Sequence, residues 1–229
     1  MLTYSGRVSE IRLGLNRELE ALIICPPGAV PTPGRYLAAQ APAEMDAPLA
    51  TPLFLSQVSQ AGFWAASPLP ASWIPGTELS LRGPLGKGFD LPLNVTRLAL
   101  AALDVSPARL LPLALAALER NCAITLFTAI PLPGLPSRIE IYPLDSLREA
   151  LSWPDLLALD LPLDRLPVLR KLLGLRPDDP LPCSAQALLW APLPCAGIAE
   201  CGVCAVPSHR GYKLACLDGP VFPLESLDW

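Results

Sequence analysis

From residue 1 to about residue 92, short apolar runs alternate with Pro and Gly turns: Ala21 to Ile24, Leu53 to Leu55, Gly62 to Ala65 and Leu79 to Leu81. Short runs punctuated in this way predict an antiparallel β-barrel or sandwich. Pro75-Gly76 is a turn signal just before the last of them. From about residue 93 the pattern changes. A buried run, Leu98 to Leu103, leads into a leucine-rich helical segment, Leu110 to Leu118. Strand-like runs follow at Ile124 to Ala129 and Ile139 to Tyr142, then a short helical piece near Asp145 to Leu151. Leu156 to Leu161 predicts a further strand, and Leu163 to Leu173 a helix stopped by Gly174. Such alternation predicts an α/β layer. Pro112 and Pro167 fall near the starts of the two longer helices, where proline removes a donor. The chain therefore divides into residues 1–92, 93–180 and 181–229.

Composition narrows the function classes. Of 229 residues, 52% are apolar and 17% charged, which excludes an intrinsically disordered chain. The most apolar stretch, Leu98 to Leu118, is broken by Asp104, Pro107, Arg109 and Pro112, so no membrane span is expected. Glu10, Arg12, Arg17, Glu18 and Glu20 break up the N-terminal stretch, so neither a secretory leader nor export is expected, and the protein is expected in the cytoplasm. The net charge of −4 comes with no basic run, which argues against nucleic acid as a partner. With a single histidine, His209, in the predicted loop Pro207 to Gly211, no hydrolytic triad can be argued. No catalytic residue is assigned.

The cysteines carry the chemistry. There are seven, an odd number that does not suit a disulfide framework. Cys25 and Cys122 sit in apolar runs and read as small buried hydrophobes. Cys183 reads as a spectator. Cys195, Cys201, Cys204 and Cys216 are spaced C-x5-C-x2-C-x11-C. The spacing approximates the plant-type C-x4-C-x2-C plus a distant fourth cysteine that holds a two-iron, two-sulfur (2Fe–2S) cluster. Small residues between them let a loop wrap a compact core, and Gly197 and Gly202 supply dihedrals other residues reach at a cost. Tyr212 to Cys216 is expected to be a short strand delivering the fourth thiolate. The x5 departs from x4 by one residue. Zinc is the rival, because four cysteines also build a tetrahedral structural site. A Rieske centre needs two histidines and is excluded.

The residues around these cysteines resemble a known family. Cys201-Gly-Val-Cys204, Tyr212-Lys213 and Cys216-Leu-Asp-Gly-Pro-Val-Phe222 look like the C-terminal part of the electron transfer subunit of type B dihydroorotate dehydrogenase. Arg82-Gly-Pro-Leu-Gly-Lys-Gly-Phe89 is similar to that family's Gly-Pro-Leu-Gly-x-Gly-Phe segment, and Pro33-Gly34-Arg35-Tyr36 resembles its Pro-Gly-Gln-Tyr strand start. The resemblance implies a ferredoxin-reductase-like fold. It would comprise an FAD-binding-like β-barrel (1–92), an NAD-binding-like α/β domain (93–180) and a 2Fe–2S segment (181–229). It also implies a partner, a dihydroorotate-dehydrogenase-like flavoprotein catalytic subunit of pyrimidine biosynthesis, whose electrons pass through the cluster and FAD to NAD.

Three departures from the family matter. Its Arg-Pro-Phe-Ser flavin motif aligns with Thr51-Pro-Leu-Phe54, which lacks the arginine that neutralises a pyrophosphate. Its glycine-rich nucleotide loop aligns with Ala102-Leu-Asp-Val-Ser106, where Asp104 or Ser106 is expected to cap a helix instead of meeting a phosphate. Its Cys-Gly-Pro segment aligns with Ala158-Leu-Asp-Leu-Pro162. Gly86 and Gly88 are expected to be turn glycines between the two domains, without flavin contact. The sequence thus predicts an electron transfer protein with a 2Fe–2S cluster, with FAD an open question and NAD not expected. The alternative is a non-catalytic scaffold or regulatory protein stapled by a structural cluster or zinc.

Overall fold

A computed structural model describes residues 2–14, 17–41, 49–130, 134–176, 179–195 and 197–229. Six strands close into an antiparallel barrel: β1 (Thr3–Leu13), β2 (Leu19–Ile24), β3 (Tyr36–Gln40), β4 (Thr51–Ser59), β5 (Gly62–Ala65) and β6 (Glu78–Leu85). Around the barrel the order is β1-β2-β5-β4-β3-β6. The four apolar runs of the sequence lie in β2, β4, β5 and β6. β1 carries no such run, because its pleat buries only Gly6 and Val8 and gives the intervening positions to polar residues. Val8, Ile23, Leu37, Leu53, Phe63 and Leu81 fill the interior with no exposed surface. Each such side chain stabilises by about 1.5–3 kcal/mol relative to exposure.

The second layer is a mostly parallel sheet of β7 (Arg97–Ala102), β8 (Ala123–Thr128), β9 (Ile139–Pro143), β10 (Leu156–Pro162) and β11 (Ser184–Trp190). Next in the chain, β12 (Ala205–Ser208) and β13 (Gly211–Leu214) form a separate antiparallel hairpin. β14 (Val221–Pro223) then pairs antiparallel with β11, so the sheet order is β14-β11-β10-β7-β8-β9. Leu98 through Ala102 and Leu156 through Leu161 are buried at every position, as central parallel strands require. The winding reverses between β7 and β10. In such sheets that reversal opens the crevice where ligands bind, outside the carboxyl ends of the strands.

The helices are short. α1 (Leu111–Glu119) carries Pro112 in its first turn, where its missing N–H costs nothing. α2 (Leu147–Ala150) occupies the helical piece expected near 145–151. The expected helix Leu163 to Leu173 is split into a 3-10 segment, Leu163–Val168, and α3 (Leu169–Leu172). Pro167 is the reason, since it withholds a donor within the run. Gly174 ends it with φ +70°. Of the two expected caps, Ser106 takes the role: its hydroxyl accepts the N–H of Ala108 at 3.2 Å and opens a 3-10 turn, Pro107–Arg109. Asp104 instead pairs with Arg165 at 2.7 Å in solvent. Among the described residues, no helix is long and apolar enough to cross a membrane.

Besides its own interior, the barrel shares a core with the sheet. Tyr36, Phe54 and Leu85 of the barrel pack with Leu157, Leu159 and Phe222 of the sheet, and Cys204 and Cys216 are buried in the same cluster.

Candidate metal centre

The hairpin brings the two inner cysteines together. Its register pairs Ala205 with Leu214, so Cys204 and Ala215 meet at its open end, where the Ala215 N–H donates to the Cys204 carbonyl at 2.9 Å. Cys216 follows at once. It lies in a turn, two residues past β13, and not in a strand as expected. The turn forms because Asp218 accepts the Leu214 N–H at 2.9 Å, drawing the backbone away from the ladder. His209 sits exposed at the other end of the hairpin, beyond β12.

The two outer cysteines come from the preceding loop. Cys195 is half-buried and Cys201 exposed, against 1% exposure for Cys204 and 3% for Cys216. The loop is tied to the barrel by Arg82 of β6, which donates to the Cys195 carbonyl at 3.0 Å. Beside it, the Tyr36 hydroxyl donates to the Cys216 carbonyl at 3.4 Å. Gly197 and Gly202 have φ of +80° and +68°, as the sequence led one to expect. Ala199 has φ +66°, a conformation that costs a residue with a Cβ roughly 1–2 kcal/mol. Nothing in the sequence marks Ala199. The N–H groups of Ala199, Ile198 and Gly197 favour the anionic Cys195 sulfur, and that of Ile198 also donates to the Cys195 carbonyl at 3.2 Å.

The four thiols lie close enough to influence one another's ionisation. Cys201 acts on Cys195, and Cys204 and Cys195 act on Cys216. Among the described residues no three metal-binding side chains converge as they stand on a single point. Partial burial opposes ionisation of Cys195, but the backbone N–H groups and Cys201 outweigh it and lower its pKa to about 7. Burial, then the neighbouring Cys204 and Cys195, push Cys216 up to about 12. Crowded thiols of this kind cannot all ionise unless a cation shares the site. The donor set therefore suits a metal that takes thiolates. Cys183 and Cys25, by contrast, are raised to about 11 by burial alone. Cys122 is buried, and its thiol donates to the Val95 carbonyl at 3.3 Å.

The three sequence landmarks meet beside this centre. Lys87 pairs in parallel with Pro220, and the Lys87 N–H donates to the Gly219 carbonyl. Phe89 donates to the Pro33 carbonyl at 3.0 Å, and Arg35 donates to the carbonyls of Gly86 and Pro84 at 3.1 and 2.5 Å. A Cβ on Gly34, at φ +82°, would stand 2.5 Å from Val221. Gly86 has φ +70° and faces the Gly219–Pro220 turn. The landmarks are thus a three-way joint that clamps the cysteine segment onto the barrel.

A second cluster, marked by no motif in the sequence, lies at the sheet reversal. Asp160, at the carboxyl end of β10, is fully buried. Arg109 binds it with two hydrogen bonds, at 2.8 and 2.9 Å. The guanidinium lies over the Trp190 ring at 4.6 Å and near Phe54 at 5.6 Å. Burial pushes the Asp160 carboxyl up, and Arg109 pulls it back.

Residues 196–228 match the model of the iron-sulfur cluster binding domain of dihydroorotate dehydrogenase B. The match takes in Cys201, Cys204 and Cys216 and begins one residue after Cys195. No curated protein matches the chain in sequence. Among solved structures, an NADH-dependent reduced ferredoxin-NADP oxidoreductase, described for flavin-based electron bifurcation, aligns with TM-score 0.77. Its identity is 18%, over 98% of this chain and 90% of that one. A cytochrome P450 reductase from Amycolatopsis aligns with TM-score 0.59 at 13% identity, over 82% and 70% of the two chains. The ferredoxin reductase of carbazole 1,9a-dioxygenase aligns with TM-score 0.57 at 17% identity, over 76% and 63%. At these identities the likeness establishes the fold. The chain thus combines a ferredoxin-reductase fold with a segment similar to the iron-sulfur cluster binding domain of dihydroorotate dehydrogenase B, and resembles that enzyme's electron transfer subunit.

Proposed function

We propose that this protein transfers electrons by means of a 2Fe–2S cluster held by Cys195, Cys201, Cys204 and Cys216. The observation that carries the reading is the gathering of Cys201, Cys204 and Cys216, with Cys195 beside them, in a segment similar to an iron-sulfur cluster binding domain. A binuclear cluster with four cysteines takes two thiolates on each iron, and zinc is the rival that the same four thiolates would hold. Such a cluster supplies reversible storage of one electron. The chain's own groups do the rest. The N–H groups of residues 197–199 favour the anionic sulfur of Cys195. The shared core holds the inner pair dry, and Cys201 leaves one edge at the surface. Ile198, Val203 and Leu217 are each more than half exposed around that edge. An electron reaches the cluster from a dihydroorotate-dehydrogenase-like flavoprotein docked there.

The test is the visible spectrum of protein purified without oxygen, before and after dithionite, with iron, sulfide and zinc measured on the same sample. The expected result is a charge-transfer band that bleaches on reduction, with iron and sulfide at about two each per chain. A colourless protein containing zinc would overturn the electron-transfer reading and leave a stapled scaffold.

A further inference from the structure

This fold places nucleotides in the crevice outside the carboxyl ends of its parallel strands, where the strand order reverses. In this chain the reversal lies between β7 and β10, facing β4 of the barrel. Flavin and nicotinamide are the ligands that the family resemblance implies for it. The crevice is taken up by the protein itself. α1 and the Pro107–Arg109 turn pack directly on β4. Arg109 projects from that turn, 4% exposed, into a two-point bond with Asp160, which has no exposed surface. Trp190, at the end of β11, covers the guanidinium from one side, and Phe54 of β4 packs against Trp190 with the rings tilted and their centroids 5.9 Å apart. The cleft left over, between Ser106, Arg109, Trp190 and Glu18, holds about 160 Å³. Cofactor sites occupy about 300–1,000 Å³. A larger cleft of about 680 Å³ lies between Arg12 and Gln57 of the barrel and Leu111 and Leu115 of α1, but none of the crevice residues lines it. Its Arg12 is bound to Glu20 and Gln57 and stacked on Trp64.

We propose that the Arg109–Asp160 pair, with Trp190 and Phe54, is an internal plug that replaces the flavin, so that this chain binds neither flavin nor nicotinamide. The plug also explains the three sequence departures together. Thr51-Pro-Leu-Phe54 supplies a ring of the plug in place of the flavin arginine. Ala102 to Ser106 leads into the turn that delivers Arg109. Ala158 to Pro162 delivers Asp160. A ligand entering here would strip partners from a charge pair removed from water, and such uncompensated charges are strongly destabilising. The consequence is a single-ended carrier, because no cofactor continues the path inward from the cysteines.

The full-length protein is incubated with excess FAD or FMN and desalted, and flavin fluorescence, iron and sulfide are measured on the retained fraction. The expected result is iron and sulfide without flavin, and no change in flavin emission during titration. NADH with ferricyanide as acceptor is expected to give no turnover. Retention of one flavin per chain, or NADH oxidation with two ferricyanides reduced for each NADH, would overturn the plug while leaving the cluster intact. Loss of iron alone would instead strike at the function proposed above. The plug itself is read from Tm in three variants. Arg109→Gln and Asp160→Asn each lower Tm by on the order of 10 °C, and the double variant loses less than the two together. Single variants as stable as the parent would mean that the pair does not fill the crevice.

Discussion

At the scale of single residues, the four cysteines differ in what they are asked to do. Cys204 and Cys216 are buried in the shared core, so their loss leaves the site without its inner half. Cys204→Ser or Cys216→Ser is expected to abolish the visible band and bring iron close to background, whereas Cys183→Ser leaves both unchanged. Cys195→Ser decides whether the thiol one residue outside the matched segment is a ligand, and loss of the band is the expected result. Asp155 offers a test of the scaffold instead of the site. Its carboxylate accepts hydrogen bonds from the Arg97 guanidinium and from the N–H and hydroxyl of Thr96, and these hold its pKa well below the usual carboxylate range. The folded value lies below the unfolded one, so the pair contributes stability above about pH 4 that is lost as the pH falls through the folded value. Asp155→Asn is therefore expected to flatten the acid limb of a plot of Tm against pH. An acid limb as steep as the parent's would show that the pair does not stabilise the fold.

Among the elements, joints matter more than strands. The sequence landmarks of the family resemblance contact one another: Pro33 to Tyr36, the Gly83 to Phe89 segment and the Gly219 to Phe222 segment close on a single joint. Gly34 is a tight part of that joint. Gly34→Ala places a Cβ against Val221 and Phe89 at positive φ, and a loss of about 1–3 kcal/mol in chemical denaturation is expected. The β12–β13 hairpin does for Cys204 and Cys216 what a fixed sequence spacing cannot. The eleven residues between them collapse to a contact only because the strands pair in one register. Pattern alone located most of the strands and α1. It overextended the helix at Leu163 to Leu173 and placed Cys216 in a strand, because proline geometry and a carboxylate-capped turn act over single residues that periodicity averages out.

Across the whole molecule, the barrel has a core of its own, while the cysteine segment shares its core with the sheet. Metal binding is therefore expected to report on one end of the protein only. Removing iron with a chelator under reducing conditions is expected to expose the stretch from Cys195 to Leu217 to proteolysis and leave the barrel fragment intact. Equal protection with and without iron would sever the link between the cluster and the fold of that segment. The sequence by itself determined the two architectures, the candidate set of four cysteines and the departures from three ligand motifs, because periodicity, thiol spacing and missing glycines are local properties. Only the tertiary structure decided what replaced those motifs. Arg109 and Asp160 lie 51 residues apart, on different elements, and meet because β7 and β10 are neighbours at the reversal of the sheet. The gathering of the cysteines is of the same kind: it depends on which loop folds over which hairpin, and that is fixed by burial and register across the whole chain.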